Sequence, residues 1–159
     1  MRRSCKASIL GMTIEHLRHV LSSRTRFDVQ ARPGESQLLR GHGTVRVLRP
    51  DSGTVIFDEA GLWTFEDCSN IAFHNIYSWS LQSESSTLSL SHLRYGRNAA
   101  VHLVDFIEAA GNEWESASPY ACGADIYRAR INYSDCVLKL SWTIQGPYKK
   151  QRLDYTYLE

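Results

Sequence analysis

From about Phe27 to the end of the chain, apolar and polar residues alternate with a period of two, the repeat of a half-buried β-strand. Turn signals interrupt the alternation at Arg32-Pro33-Gly34, Pro50-Asp51-Ser52-Gly53, Gly96-Arg97-Asn98, Gly111-Asn112 and Gly146-Pro147, a spacing that suits consecutive hairpins. The pattern predicts strands over residues 37–48, 54–65, 70–82, 87–95, 99–107, 113–117, 120–133, 137–145 and 150–158. With no crossover helix between them, these eight or nine strands read as an all-β, up-and-down antiparallel β-barrel. Before Phe27 the period differs. Ile14, His16, Leu17, Val20 and Leu21 follow helical spacing, and Thr13-Ile14-Glu15-His16 is a loose capping box with His where Glu would sit. The expected organisation is a short N-terminal helical segment over residues 1–26 and a single barrel domain over 27–159.

Parity then selects the inner face, because the apolar parity of each strand must be the buried one. It assigns Val55, Phe57, Glu59, Gly61, Trp63 and Phe65 to the interior from one strand, and Ile71, Phe73, Asn75, Tyr77, Trp79 and Leu81 from the next. Leu88, Leu90, His92 and Arg94 follow, then Leu138, Leu140, Trp142 and Ile144, with Asp125, Tyr127, Leu153 and Tyr155 completing the set. A barrel of about eight strands has room for packed side chains or one small ligand. A few polar groups in an aromatic, apolar lining is the composition of a pocket.

Length and charge narrow the picture. The chain has 159 residues, enough for one core. Its 18 basic and 17 acidic side chains leave no field of one sign to attract nucleic acid or anionic lipid. Arg2, Arg3 and Lys6 precede Ile9, Leu10 and Met12, an apolar run too short and broken for a signal-peptide core or a membrane span. A soluble, cytoplasmic protein is expected, with no membrane partner; a homodimer is compatible with this composition. Cys5, Cys68, Cys122 and Cys136 contain no C-x-x-C pair, so buried free thiols are expected rather than a zinc or redox site.

Several inward residues carry chemistry, and each also has a structural reading. Asp125 with Tyr127 and Arg94 can hold a carboxylate, phenol or enol and move a proton, or can form a salt bridge closing the barrel. Glu59 in an apolar lumen would be a general base of raised pKa, or would pair with Arg46 or Arg94. His92 and His102 flank the Gly96-Arg97 turn and can meet one ligand, or be satisfied core groups; no third ligand has metal-site spacing. Cys122 is a candidate nucleophile without a sequence signal that activates it. Trp63, Trp79, Trp142, Tyr77 and Tyr155 can stack on a ligand or fill the core. Phe57, Asn75 and Tyr120 complete the candidate ligand-binding set. No phosphate loop, dinucleotide fingerprint or Ser-His-Asp signature is present, so no cofactor is expected.

Taken in order, Leu39-x-Gly41-x-Gly43-Thr44, Gly53-x-x-x-Phe57-x-Glu59-x-Gly61, Tyr77-x-Trp79, Gly96-Arg97 with His102, Cys122-Gly123-x-Asp125-x-Tyr127, and Trp142-x-Ile144-x-Gly146-Pro147-x-Lys149 with Tyr157 resemble the family catalogued as domain of unknown function 6314. The resemblance spans about residues 37–158 and implies a small calycin-like (lipocalin-like) barrel; it carries no general activity with it. The chain departs from the family in four places. Tyr120 stands where His is usual two residues before Cys122, Asn75-Ile76 replaces basic residues, Tyr148-Lys149-Lys150 replaces Arg-Lys-Asp, and the 96–102 segment carries an insertion. These changes point to an altered polar site suited to a larger or more aromatic ligand.

Two functions follow from the residues. One is a cofactor-free enzyme of small-molecule, secondary-metabolite biosynthesis. It would confine a hydrophobic or aromatic substrate and use Glu59, His92, Arg94, Asp125 and Tyr127 for cyclisation, isomerisation or dehydration. The alternative is a non-catalytic carrier of a small hydrophobic molecule. A structural role with a filled lumen is the third reading.

Overall fold

The computed structural model describes residues 14–35 and 37–159. Helix α1 (Ile14–Ser22) is followed by β1 (Arg26–Arg32), β2 (Leu39–Asp51), β3 (Thr54–Thr64), β4 (Asn70–Gln82) and β5 (Thr87–His92). A 3₁₀ turn (Arg97–Ala99) leads to β6 (Val101–Ala110), β7 (Glu113–Ser116), β8 (Tyr120–Cys122), β9 (Asp125–Tyr133), β10 (Val137–Gly146) and β11 (Lys149–Leu158). Ten strands pair antiparallel in the order β10-β11-β1-β2-β3-β4-β5-β6-β7-β9, and a β9–β10 ladder closes the ring. Strand β8 adds to β9 beyond the end of β7. The fold is thus the expected all-β barrel with one short helix, built from more strands than the eight or nine predicted.

The extra strands have local causes. β1 is absent from the predicted strands, although Phe27, Val29 and Ala31 alternate with polar residues as in the other strands; the run is short and ends against Pro33. It becomes a strand through ladders on both sides, to β2 and β11, which bury Phe27 and Val29. The predicted strand over 120–133 is two strands, because Gly123 adopts a left-handed φ of 63° and turns the chain between Cys122 and Asp125.

Helix α1 lies across one end of the barrel. It packs against β2, β3, β4 and β10, and Leu17, Val20 and Leu21 are fully buried in the main core. Arg18 donates to the Ser52 carbonyl of the β2–β3 turn at 2.8 Å, and His16 meets Asp135 of the β9–β10 turn at 2.7 Å. The helix therefore plugs the barrel end. The capping residue Thr13, the basic N-terminal cluster and Cys5 lie outside the described residues.

Above the helix the lower lumen is packed solid. Phe57, Trp79, Leu88, Leu90, Phe106, Trp114, Ile131, Leu138 and Tyr157 are almost wholly buried. Trp79 stands edge-on to Phe57 at 5.7 Å and stacks on Phe106 at 6.3 Å. On the β1–β4 side, Phe27, Trp63 and Phe73 fill the upper lumen as well. Gly43 of β2 makes this possible, since a Cβ there would overlap the Ala60 carbonyl and sit 2.7 Å from the Phe27 ring. Gly43→Ala is expected to lower stability by about 1–3 kcal/mol, read as a drop of several degrees in Tm on thermal denaturation.

Two irregularities open the opposite side. A β-bulge on β6 places Leu103 opposite the step from Leu90 to Ser91 of β5, so Leu90 pairs with Val104 but Ser91 pairs with His102. Below the bulge Val104 and Phe106 face inward; above it Val101 and Leu103 do. The β6–β7 wall then ends where the Ala117 amide donates to the Asp105 carbonyl at 2.7 Å. Pro119 follows and has no N–H to extend a ladder. Among the described residues, no backbone pairing joins residues 101–104 to β8.

Candidate functional site

A cavity of about 390 Å³ occupies this opened upper quadrant. Its floor is Tyr77 of β4 and Tyr155 of β11; Trp142 and Ile144 of β10 with Leu153 form one wall, and Val101 and Leu103 the facing one. Tyr120 and Cys122 of β8 and Tyr127 of β9 line the third side, with the two tyrosine rings edge-on at 5.8 Å. His92, Arg94 and Tyr95 stand at the rim. The His92 ring is edge-on to Tyr77 at 5.1 Å and accepts the Arg94 backbone N–H at Nδ1, 2.8 Å away.

The floor is tied to a buried polar cluster. Tyr77 and Tyr155 share a side-chain hydrogen bond, and Tyr155 stacks on Tyr157 at 5.7 Å. Tyr157 in turn donates to Glu59 Oε1 at 2.6 Å. Glu59 is fully buried, and its Oε2 has no hydrogen-bond partner. Burial pushes its carboxyl up to about 7, against the opposing hydrogen bonds of Tyr157 and of its cross-strand neighbour Asn75. Burial, and then the Glu59 charge, push Tyr77 and Tyr157 upward; burial and then Tyr77 do the same to Tyr155. These phenols are therefore protonated donors at neutral pH. Burial, and then the Arg94 charge, lower His92, which keeps its imidazole neutral.

The residues expected to form one site divide into three groups. His92, Arg94, Tyr127, Tyr77, Tyr120, Cys122, Trp142 and Tyr155 line the cavity. Glu59, Asn75, Phe57, Trp79 and Trp63 do not: Glu59 lies behind the tyrosine floor, Phe57 and Trp79 belong to the packed core, and Trp63 stacks on Phe73 at 5.3 Å. Asp125 sits at the rim over Gly146, 3.7 Å from Lys149, so its ion-pair partner is neither Arg94 nor Tyr127. His102 is exposed 3.5 Å from Asp105, outside the lining, because the bulge reverses its parity; it does not meet His92 across a ligand.

Other expectations are corrected too. Arg46 pairs with Asp58 on the outer face, not with Glu59. Ile71, assigned inward, is 57% exposed where β4 projects at the barrel end. Cys68 and Cys122 are free but exposed, and Cys136 is disulfide-bonded, so the buried free thiols expected there are absent. Val101, Leu103 and Tyr95 were missed. The first two needed the bulge to be known, and Tyr95, largely exposed in the following turn, has no pattern signal.

No helix among the described residues is long and apolar enough to cross a membrane. No group of three or more His, Cys, Asp or Glu side chains among them is placed to hold a metal ion.

Solved structures with a similar fold include an S-type phycobiliprotein lyase, CPES, from Guillardia theta. The match covers 93% of each chain at 9% identity with a TM-score of 0.61, a likeness of fold alone. A redesigned β-barrel, mFAP1, bound to DFHBI, matches at 13% identity over 89% of this chain and 99% of its own, with a TM-score of 0.43. No curated protein sequence matches the chain. The family model of DUF6314, a family of unknown function, matches residues 20–159, and the chain belongs to that family.

Proposed function

We propose that the chain binds a small, mainly apolar or aromatic molecule in the upper cavity. The observation that carries this reading is an open cavity of about 390 Å³ in an otherwise packed barrel, walled by Trp142, Ile144, Leu153, Leu103 and aromatic rings with phenols at its floor. Pockets of about 300–1,000 Å³ with an apolar wall and a few convergent polar groups are the usual form of small-molecule sites. Binding is favoured over acid–base catalysis because two of the five groups expected to do the chemistry, Glu59 and Asp125, do not line the cavity.

The test uses a neutral fluorogenic probe, N-phenyl-1-naphthylamine. Its emission is expected to rise on binding, and Trp142→Ala is expected to weaken binding about tenfold by removing the largest apolar wall. Absence of binding, or binding indifferent to Trp142→Ala, overturns the reading.

One observation favours the enzyme as a second reading. A carboxyl with a pKa of about 7 lies behind the Tyr77–Tyr155 floor, in the range of a general base, and would serve cyclisation, isomerisation or dehydration if a substrate group reached it past those phenols. For that reading, Glu59→Gln abolishes turnover of a bound compound while its affinity is unchanged.

A further inference from the structure

If the cavity is a small-molecule site, its rim selects the class of molecule. We infer that the ligand is an aromatic or apolar compound carrying one anionic group, a carboxylate or an equivalent oxyanion, received at the rim by Arg94 and His92.

The formally charged residues that line the cavity are of one sign. Arg94 is the formal cation of the lining, and no Asp or Glu among the described residues lines the cavity with it. No carboxylate among them forms an ion pair with Arg94. The two nearby acids are engaged elsewhere, Glu59 behind the floor with Tyr157 and Asp125 at the rim with Lys149. The guanidinium field nevertheless reaches inward, since it acts on both Tyr77 and His92.

At this edge His92 and Arg94 both present hydrogen-bond donors. Because His92 Nδ1 accepts the Arg94 amide proton, the neutral ring carries its own proton on Nε2, a donor on a ring that lines the cavity. Beside it the Arg94 fork offers up to five N–H donors and no acceptor. An oxyanion satisfies these donors, whereas a ligand ammonium would face the like charge of Arg94. The apolar walls below take the rest of the molecule, so the anion stays at the solvated edge and its desolvation is partial.

The experiment compares displacement of N-phenyl-1-naphthylamine by naphthalene-2-carboxylate and by its methyl ester, which share a ring system and differ in charge. The carboxylate is expected to bind about tenfold or more tightly than the ester, through a charge-assisted contact. Added salt should reduce that preference. Arg94→Gln should abolish the advantage of the carboxylate over the ester, Arg94→Lys should retain part of it, and His92→Phe should lower it while keeping a ring against Tyr77. Arg94 is exposed, so its substitution leaves folding intact. Equal or tighter binding of the ester, or a preference that survives Arg94→Gln, overturns the inference while the cavity reading stands. Failure of the probe and of both naphthalene compounds, measured directly by calorimetry, removes the cavity reading and the inference together.

Discussion

Glu59→Gln is expected to flatten the pH dependence of stability between about pH 4.5 and 7 and to stabilise the protein at pH 8. Glu59 is fully buried and has one firm partner, the Tyr157 hydroxyl at 2.6 Å, with Oε2 unpartnered. Its ionised form is therefore poorly solvated, and burial raises the carboxyl from 4.5 to about 7. The folded state keeps its proton where the unfolded state has lost it. Glu59 thus favours folding most below pH 4.5, and that advantage falls as pH rises to 7 and stays lost above it. The span corresponds to roughly 3 kcal/mol. Gln keeps an oxygen for Tyr157 and cannot ionise.

His92 acts in the opposite sense, because its lowered pKa makes stability fall as pH drops. For this reason the informative quantity is the difference between parent and Glu59→Gln in urea denaturation at pH 5 and pH 8. Parallel profiles for the two proteins would show that the carboxyl is not desolvated as its burial implies.

Trp79→Ala is expected to cost about 3–5 kcal/mol, near the whole stability of many domains of this size. The indole fills the lumen between Phe57 and Phe106 with no exposed surface, and surrounding strands that are hydrogen-bonded on both sides leave little freedom to collapse. Trp142→Ala enlarges a cavity that already opens to solvent, so its cost should be smaller by about 1 kcal/mol or more while its effect on ligand binding is larger. Trp79→Phe should be milder than its lost volume suggests, because Nε1 of Trp79 is buried without a hydrogen-bond partner. Chemical denaturation of the three variants separates a packing tryptophan from a cavity tryptophan. Equal losses for the two alanine variants would contradict the division of the lumen.

Much of the architecture is legible in the alternation itself. Burial of one face forces a period of two, so Val55, Phe57 and Glu59, or Leu138, Leu140 and Trp142, declare their side of the sheet without any knowledge of their neighbours. The same logic placed Tyr77, His92, Tyr127 and Tyr155 in one lumen, and the helical spacing of Leu17, Val20 and Leu21 marked α1. The alternation also begins within β1, but its place in the ring was not legible, since its ladder to β11 joins the two ends of the barrel sequence.

Parity says which face a side chain occupies but not how far along the barrel it lies, nor what approaches it from across the lumen. Sequence by itself therefore determined an antiparallel barrel with a helix and an aromatic interior bearing a few polar groups. The tertiary structure decided that Trp79 is core and Trp142 is wall, that Glu59 sits behind a tyrosine floor, and that Asp125 answers to Lys149. It also decided the opening itself, because one extra residue on β6 reverses parity at His102 and the ladder stops before Pro119. Those outcomes depend on register between strands and on volumes brought together by closure of the ring, quantities that no local period encodes.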